Sequence, residues 1–427
     1  MTKFKQKTTI KANKTFIEGD YMTMKFSKYT EVINNFDKVV IINTVNGYFI
    51  RISKEVFDIL NYIMENHMEN ELTSILLCDE DREYINNLIH RLIDNKVIIK
   101  NNKEIDLRNK IVSIELTHRC NLNCKHCCIS ATFTDDKSID LSTTKVKEML
   151  DKLIKWNPER ISISGGEPMY RDDFIEISEY LRKYYKGKIE LCTNGLLIND
   201  DNINILKNNY DVINISIDGV DEESCSKVRG KGVFDKVIEN IKKLKEHNIE
   251  KITLSMAVSD KNEELESKFI ELNESLGTSP LVRNFAPVGR GKENKSLFTD
   301  IEDDKVYIPD SYLNDKKIYI RTCTAGKHEL FIDYKGNVYP CPSFNSKEYL
   351  MGNILEENSV YDITNKFNAN LMKSSSIIYK KCRDCNVNYF CWTCPGEIER
   401  LKDNEKAIDY RCKVLKPILT EKIWGDD

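Results

Sequence analysis

Six short β-rich runs recur through the middle third of the chain, each ending in glycine or a polar turn. They are 111–118 (IVSIELTH), 160–168 (RISISGGEP), 188–195 (KIELCTNG), 212–219 (VINISIDG), 251–259 (KITLSMAVS) and 280–289 (PLVRNFAPVG). Between them, in 141–156, 172–185 and 234–248, apolar residues recur at three and four, the period of a helix with one buried face. Strands that are apolar almost throughout and alternate with helices pair in parallel, with the helices outside, as an open doubly wound sheet or a barrel. The fold class is therefore α/β. Both architectures gather their chemistry at the C-terminal ends of the strands, and nearly every polar motif here falls at such an end.

The flanks read differently. Residues 38–53 are two alternating runs around Asn46-Gly47, the dipeptide preferred in a type I′ hairpin turn, and helical patterns follow at 54–66, 71–78 and 80–95. A hairpin with short helices suits a winged-helix-like domain that binds DNA, or one that binds a peptide along a strand edge. Residues 1–100 hold 14 Lys+Arg against 14 Asp+Glu, whereas a DNA reader should be basic, so peptide is favoured. The chain as a whole carries a net charge of -4, which gives no general attraction to nucleic acid or to an anionic membrane. No secretory h-region and no apolar stretch of about 18 to 20 residues stands out, which predicts a cytoplasmic protein with no membrane contact. In a reducing compartment its 14 cysteines read as metal ligands or redox groups rather than disulfides. Half of them lie from residue 323 onward, in irregular sequence that needs cross-links to fold.

Four cysteines fall within nine positions of the first strand's exit, in HRCNLNCKHCC (118–128). Cys120, Cys124 and Cys127 have the spacing Cys-x3-Cys-x2-Cys. Structural zinc sites commonly use two Cys-x2-Cys pairs, whereas three thiolates on one loop suit three corners of a 4Fe-4S cluster with one iron left open. Cys128 is the spare, read as a small buried thiol. Gly165-Gly166-Glu167-Pro168 ends the second strand, offering bare backbone and a carboxylate for an ammonium group. Thr193-Asn194-Gly195 ends the third, and Ser216-Ile217-Asp218-Gly219 ends the fourth with acceptors suited to a ribose; Arg229 could clamp a carboxylate. Each is weak alone, since strand-end Gly and Asp often only make turns, but four in order are strong. Among the other residues, Cys78 and Cys192 read as packing groups, Cys225 as part of a polar loop, and Glu115 and His118 as orienting the cluster loop. Arg290 lies in a turn leading out of the barrel.

These motifs resemble the radical S-adenosylmethionine enzymes over residues 111 to about 290. The resemblance implies a partial (β/α)6 TIM-type barrel whose 4Fe-4S cluster, held by Cys120, Cys124 and Cys127, chelates S-adenosylmethionine. Gly165, Gly166 and Glu167 would then line the methionine amine, Asn194 would contribute at the next strand end, Ser216 and Asp218 would meet the ribose and Arg229 the carboxylate. His126, where the family usually has an aromatic residue, would lie against the adenine. Cys323-x12-Gly336-x4-Cys341, Cys382-x2-Cys385-x5-Cys391-x2-Cys394 and Cys412 resemble the SPASM seven-cysteine pattern, which implies two auxiliary 4Fe-4S clusters. Cys382, Cys385, Cys391 and Cys412 would hold the distal cluster, and Cys323, Cys341 and Cys394 the nearer one. The final pair departs from the pattern, with two residues between Cys391 and Cys394 where many members have three. On spacing alone, two structural zinc sites fit nearly as well.

The expected domains are a winged-helix-like leader-recognition domain (1–105), the barrel (106–290), a bridge (291–322) and the SPASM domain (323–427). That order resembles the maturases of ribosomally made, post-translationally modified peptides, such as the thioether-forming sactipeptide and ranthipeptide synthases. It implies a precursor peptide as partner, bound by its leader, and a low-potential electron donor of flavodoxin or ferredoxin type. Thioether formation is the expected reaction. Carbon-carbon cross-linking, epimerisation and sulfatase-type maturation use the same machinery. A winged-helix redox or metal sensor is the reading from another class, and it has no need of GGEP, Asp218 or Arg229.

Overall fold

The computed structural model describes residues 23–66, 76, 78–100, 110–308, 313, 318, 320, 322–367, 381–382, 384–391, 394–401 and 403–425. Its contacts divide the chain into two units, one of 1–108, 308–323 and 376–427 and the other of 109–307 and 324–375. The two ends of the chain thus share a unit, and residues 324–375 join the barrel.

In the first unit, β1 (Met24–Phe26), β2 (Thr30–Asn35), β3 (Lys38–Asn43) and β4 (Phe49–Ser53) lead into helices Lys54–Asn66 and Asp79–Asp94, and β5 (Ile98–Lys100) returns to pair antiparallel with β1. Residues 71–75 and 77 of the expected middle helix lie outside the described residues. β2, β3 and β4 form an antiparallel sheet with β3 in the centre. Residues 39–42 of β3 are wholly buried, and their alternation explains why the run is apolar throughout. Val39 and Ile41 pack under the two helices with Leu60, Ile63 and Leu92. Val40 and Ile42 face the other way, into a core shared with Phe390, Cys391, Leu415, Leu419 and Ile423 from the C-terminal segment. Helix Glu405–Trp424 is held at its end by this sheet. Arg51 Nη1 donates to the carbonyls of Ile423 (2.8 Å) and Gly425 (2.7 Å), and Lys38 Nζ donates to that of Trp424 (2.8 Å).

The hairpin forms, but not with a type I′ turn at Asn46-Gly47. Ile42 pairs with Phe49, so five or more residues connect the strands, and Asn43 Oδ1 accepts from Val45 N (2.9 Å). The Asn43 amide also donates to the carbonyls of Asn95 and Lys96, which ties the loop to the helix end and outweighs the local turn preference. The tight two-residue turn lies one hairpin earlier, where Asn35 pairs with Lys38 around Phe36-Asp37 and Phe36 takes a φ of 53°.

The second unit carries β6 (Ile111–Glu115), β7 (Arg160–Ser164), β8 (Lys188–Thr193), β9 (Val212–Ser216), β10 (Ile252–Val258) and β11 (Ser279–Asn284), all parallel and in sequential order. A doubly wound sheet sends its successive strands to both sides of the first; here β6 to β11 all follow one another in one direction, the order of a partial barrel. Val112, Ile114, Ile161, Ile163, Ile189, Leu191, Ile213 and Ile215 pack outward against the helices. Their neighbours in sequence, including Ser162, Glu190, Cys192 and Ser216, occupy the opposite face. Helices Thr143–Trp156, Phe174–Tyr184 and Val233–Glu246 lie where the apolar period places them. β12 (Glu329–Ile332) adds in parallel beside β6 and is extended by antiparallel β13 (Asn337–Tyr339) and β14 (Gly352–Asn353). No helix among the described residues is long and apolar enough to cross a membrane.

Candidate functional site

The cysteine loop leaves β6 and is pinned to its neighbours mainly through backbone. Cys120 N donates to Thr132 O (3.1 Å) and Thr132 N to His118 O (2.9 Å), closing the loop on itself. Gly166 N donates to Thr117 O (2.8 Å) and Glu167 N to Arg119 O (2.9 Å), which fastens the GGEP turn to the same loop. That fit excludes side chains: a methyl group on Gly165 would lie 2.5 Å from Thr117 O, and one on Gly166 would lie 2.7 Å from the Arg119 carbonyl carbon. Gly165 also takes a φ of +149°, which favours glycine. Beneath the loop, Arg119 is fully buried and binds Asp140 through Nε (2.9 Å) and Nη2 (2.7 Å), while Thr117 Oγ1 donates to the other Asp140 oxygen (2.6 Å).

The other strand ends converge on this loop. Glu167 has no solvent exposure; it accepts from Thr193 Oγ1 (2.8 Å), Asn194 N (2.7 Å) and Met169 N (3.1 Å), and burial pushes its carboxyl up to about 7 against those hydrogen bonds. Asn194 Nδ2 donates to Asn121 Oδ1 (2.7 Å) and lies 3.9 Å from Cys120 Sγ. Ser216 accepts from Ser255 Oγ (3.2 Å) at the end of β9. Asp218 is fully engaged within the protein. Its Oδ2 accepts from Arg229 Nε (2.7 Å) and Nη2 (2.5 Å) and from His126 Nε2 (2.8 Å), and its Oδ1 accepts from Ala257 N (2.7 Å). Burial raises the Asp218 pKa, but Arg229 and then His126 more than offset this and hold it well below the usual carboxylate range. Arg229 also reaches Cys124 Sγ at 3.9 Å.

Each loop thiol therefore has a donor. Leu122 N and Ala131 N lie 3.4 Å from the sulfurs of Cys120 and Cys127, and Arg229 serves Cys124. Burial, with lesser repulsion from Glu167 and the neighbouring thiols, pushes the Cys120 thiol up to about 11. A cationic centre that binds the thiolates reverses that balance, so the donor set fits an iron-sulfur cluster. Among the described residues no three ligands gather as around a single metal ion, whereas a cubane holds each thiolate on a separate iron. His126 supplies a second observation of fit. Its Nδ1 is buried without a hydrogen-bond partner among the described residues, and its ring stacks on Phe298 (5.9 Å), which stacks on Phe285 (4.6 Å). An acceptor on an aromatic wall suits a nucleobase.

Several sequence expectations are corrected. Cys128 is exposed rather than buried, and Cys78 is exposed at the start of helix Asp79–Asp94 rather than in the core. Cys225 lies in helix Glu222–Arg229, buried, with Sγ donating to Ile217 O (3.0 Å); the segment is too polar to show an apolar period, although the Asp221/Ser224 capping box marks its start. Arg290 turns toward the cysteine loop, with Nε on Cys124 O (3.0 Å) and Nη1 on Ala131 O (2.6 Å). His118 Nδ1 meets Glu115 Oε1 at 2.6 Å and stacks on Tyr334 (4.8 Å).

In the other unit, Cys382, Cys385, Cys391 and Cys412 line one small, partly open cavity, together with Val387, Asn388, Ile408, Arg411 and Lys416. Four thiols around one cavity is again a donor set that fits a cluster. Of the remaining trio, Cys341 is buried in the barrel's unit, and Cys323 and Cys394 are half-buried in the other. Tyr389 is partly buried within the short helix Asn388–Cys391; Trp392 lies outside the described residues.

Residues 114–271 match the Radical SAM superfamily, and residues 323–386 match SPASM, an iron-sulfur cluster-binding domain. The chain belongs to the radical SAM superfamily and carries a SPASM domain after its barrel. The mycofactocin maturase MftC of Mycolicibacterium smegmatis is 28% identical over 270 residues, 58% of this chain and 68% of MftC. A probable GTP 3′,8-cyclase of Saccharolobus solfataricus is 30% identical over 216 residues, 50% of this chain and 67% of the cyclase. The crystal structure of Streptococcus suis SuiB bound to precursor peptide SuiA has the same fold, with a TM-score of 0.54 at 16% identity over 93% of this chain and 99% of SuiB.

Proposed function

We propose that this chain is a radical SAM maturase of a ribosomally made precursor peptide, and that it joins a cysteine sulfur of that peptide to carbon. The observation that carries the reading is the shared core of the first unit. An antiparallel sheet with open edges at β2 and β4 among the described residues is built, through Ile33, Val40 and Ile42, onto the segment that holds the four-cysteine cavity. An open strand edge accepts a peptide as an added strand, and docking of a leader raises the effective concentration of its core at the barrel. The likeness to MftC, named a maturase, and to SuiB, crystallised with a precursor peptide, supports the peptide as substrate.

In this reading Cys120, Cys124 and Cys127 hold the barrel cluster, and Gly165, Gly166, Asn194, Ser216 and His126 line the space for S-adenosylmethionine. When bound, the pair supplies the 5′-deoxyadenosyl radical that takes a hydrogen atom from an unactivated C–H bond. Glu167 joins the ends of β7 and β8, Asp218 fixes Arg229 and His126, and Arg290 holds the loop carbonyls, so the site is preorganised by charged groups already hydrogen-bonded within the protein. Cys382, Cys385, Cys391 and Cys412 hold an auxiliary cluster. A flavodoxin or ferredoxin supplies the low-potential electron. Thioether closure removes two hydrogens from the peptide: one leaves as the abstracted atom, and the other as a thiol proton plus an electron, which an auxiliary cluster held by Cys382, Cys385, Cys391 and Cys412 would accept.

Anaerobic co-expression with a cysteine-containing peptide encoded beside this gene, followed by intact mass and fragmentation, tests the reading. Loss of two hydrogens per modification with cysteines blocked to alkylation is expected. The same loss with free cysteines assigns carbon-carbon cross-linking instead, and an unchanged mass with 5′-deoxyadenosine formed removes both.

A further inference from the structure

Helix Glu405–Trp424 presents Ile408, Arg411, Cys412 and Lys416 to the four-cysteine cavity, a stripe at i, i+3, i+4 and i+8 that combines a ligand with two cations. Arg411 is only 5% exposed, and its Nη2 donates to the carbonyl of Cys391 at 2.6 Å. The guanidinium and the Cys391 thiol also line the same cavity, so one planar fork holds the backbone of a ligand residue and brings its charge to the side of the thiols. Lys416 lines the cavity from its exposed side.

We infer that Arg411, assisted by Lys416, sets the reduction potential of the cluster held by Cys382, Cys385, Cys391 and Cys412 and makes that cluster the better electron acceptor. The inference rests on the reading that these four thiols carry a cluster. Reduction adds one negative charge to a group already surrounded by four thiolates. A buried cation lining the cavity beside the ligand sulfurs favours the reduced form and raises the potential. Burial decides the order of the two effects. Arg411 acts where water screens little, whereas Lys416 acts through solvent and salt. The arginine is a positioning residue; it touches a ligand and not the peptide.

The test is potentiometric EPR on anaerobically reconstituted full-length protein, in a background where Cys120, Cys124 and Cys127 are alanine so that only auxiliary signals remain. R411Q is expected to retain its iron and to accept an electron at least about tenfold less favourably, a shift of about 59 mV to more negative potential for one electron. R411K should fall between R411Q and the parent, and K416Q should shift less, with its effect lost at high salt. Full iron in R411Q with an unchanged midpoint overturns the inference. If R411Q does not assemble the cluster, K416E carries the test: a lower midpoint at low salt supports it, and an unchanged one overturns it. Failure of the underlying reading looks different, because C412A and C385A would then match the parent in iron content and EPR signal.

Discussion

Replacing Asp218 by asparagine is the sharpest test of how the cofactor-facing end of the barrel is held. The carboxylate and its partner are both buried, with side-chain exposures of 5% for Asp218 and 9% for Arg229. Asparagine keeps an acceptor for Ala257 N but turns an N–H toward the guanidinium or His126, leaving a buried cation uncompensated. Breaking a buried pair in this way costs about 3–5 kcal/mol. The double variant D218N/R229Q removes the stranded charge and should recover about 2 kcal/mol relative to the sum of the single losses. The chain has two units and need not unfold in one step, so the measurement is native-state hydrogen exchange of β9 and β10 amides, above all Ala257, rather than a global midpoint. The sign with pH follows from the depressed pKa of Asp218. Its contribution is present in full above the unfolded value of about 4 and is lost as pH falls toward the folded one. The gap between parent and D218N should therefore be flat from about pH 5 to 8 and narrow in acid. A loss below about 1 kcal/mol, or strict additivity of the two single variants, would refute the argument.

Further outcomes are expected at separate points of the structure. G166A should assemble little barrel cluster and form little 5′-deoxyadenosine, because its methyl group meets the Arg119 backbone, whereas G232A, with open space around it, should lose only about 1 kcal/mol from its positive φ; normal iron content and turnover in G166A would contradict this. Since the Cys120 thiol is pushed up to about 11, cluster loading must release protons, and reconstitution at fixed iron should improve from about pH 6.5 to 8.5; a flat profile counts against the ligand assignment. R51M should speed exchange in the last turn of helix Glu405–Trp424 by losing two carbonyl contacts worth about 1–2 kcal/mol together, and unchanged protection there would show the contacts to be idle. C412A should loosen amide protection in β2 and β3, because Cys391 shares their core.

The parts of this fold legible in the sequence are those with a repeating apolar period. β6 to β10 and the three helices named above each bury one face in a common core, and that burial writes itself into residue spacing; β11 adds only the half-buried Val282. β12 was not legible: ELFI is four residues long and joins β6 from more than two hundred residues away, a pairing that no local pattern encodes. Helix Glu222–Arg229 escaped for the opposite reason, since it buries little beyond Cys225. The strand-end motifs are brought together on the cysteine loop, but composition could not say how each charge is used. Asp218 reads in the sequence only as a strand-end acceptor, and its bonds to Arg229, His126 and Ala257 are visible only in three dimensions.

That occupation bears on what the site can discriminate. Asp218, Glu167, Arg119, Arg229 and Arg290 are each committed to strand ends, loop carbonyls or one another. A change of peptide sequence cannot recruit them without undoing the loop that carries the cysteines. Chemistry common to the superfamily is thereby insulated from substrate choice. Selection of the peptide then falls to surfaces outside this network, and the open strand edges of the first unit have main-chain donors and acceptors to offer. Substitutions that neutralise those edges, such as proline at alternate positions of β2, should weaken capture of the precursor peptide while leaving peptide-independent cleavage of S-adenosylmethionine unchanged. Equal loss of both would place peptide selection inside the barrel instead.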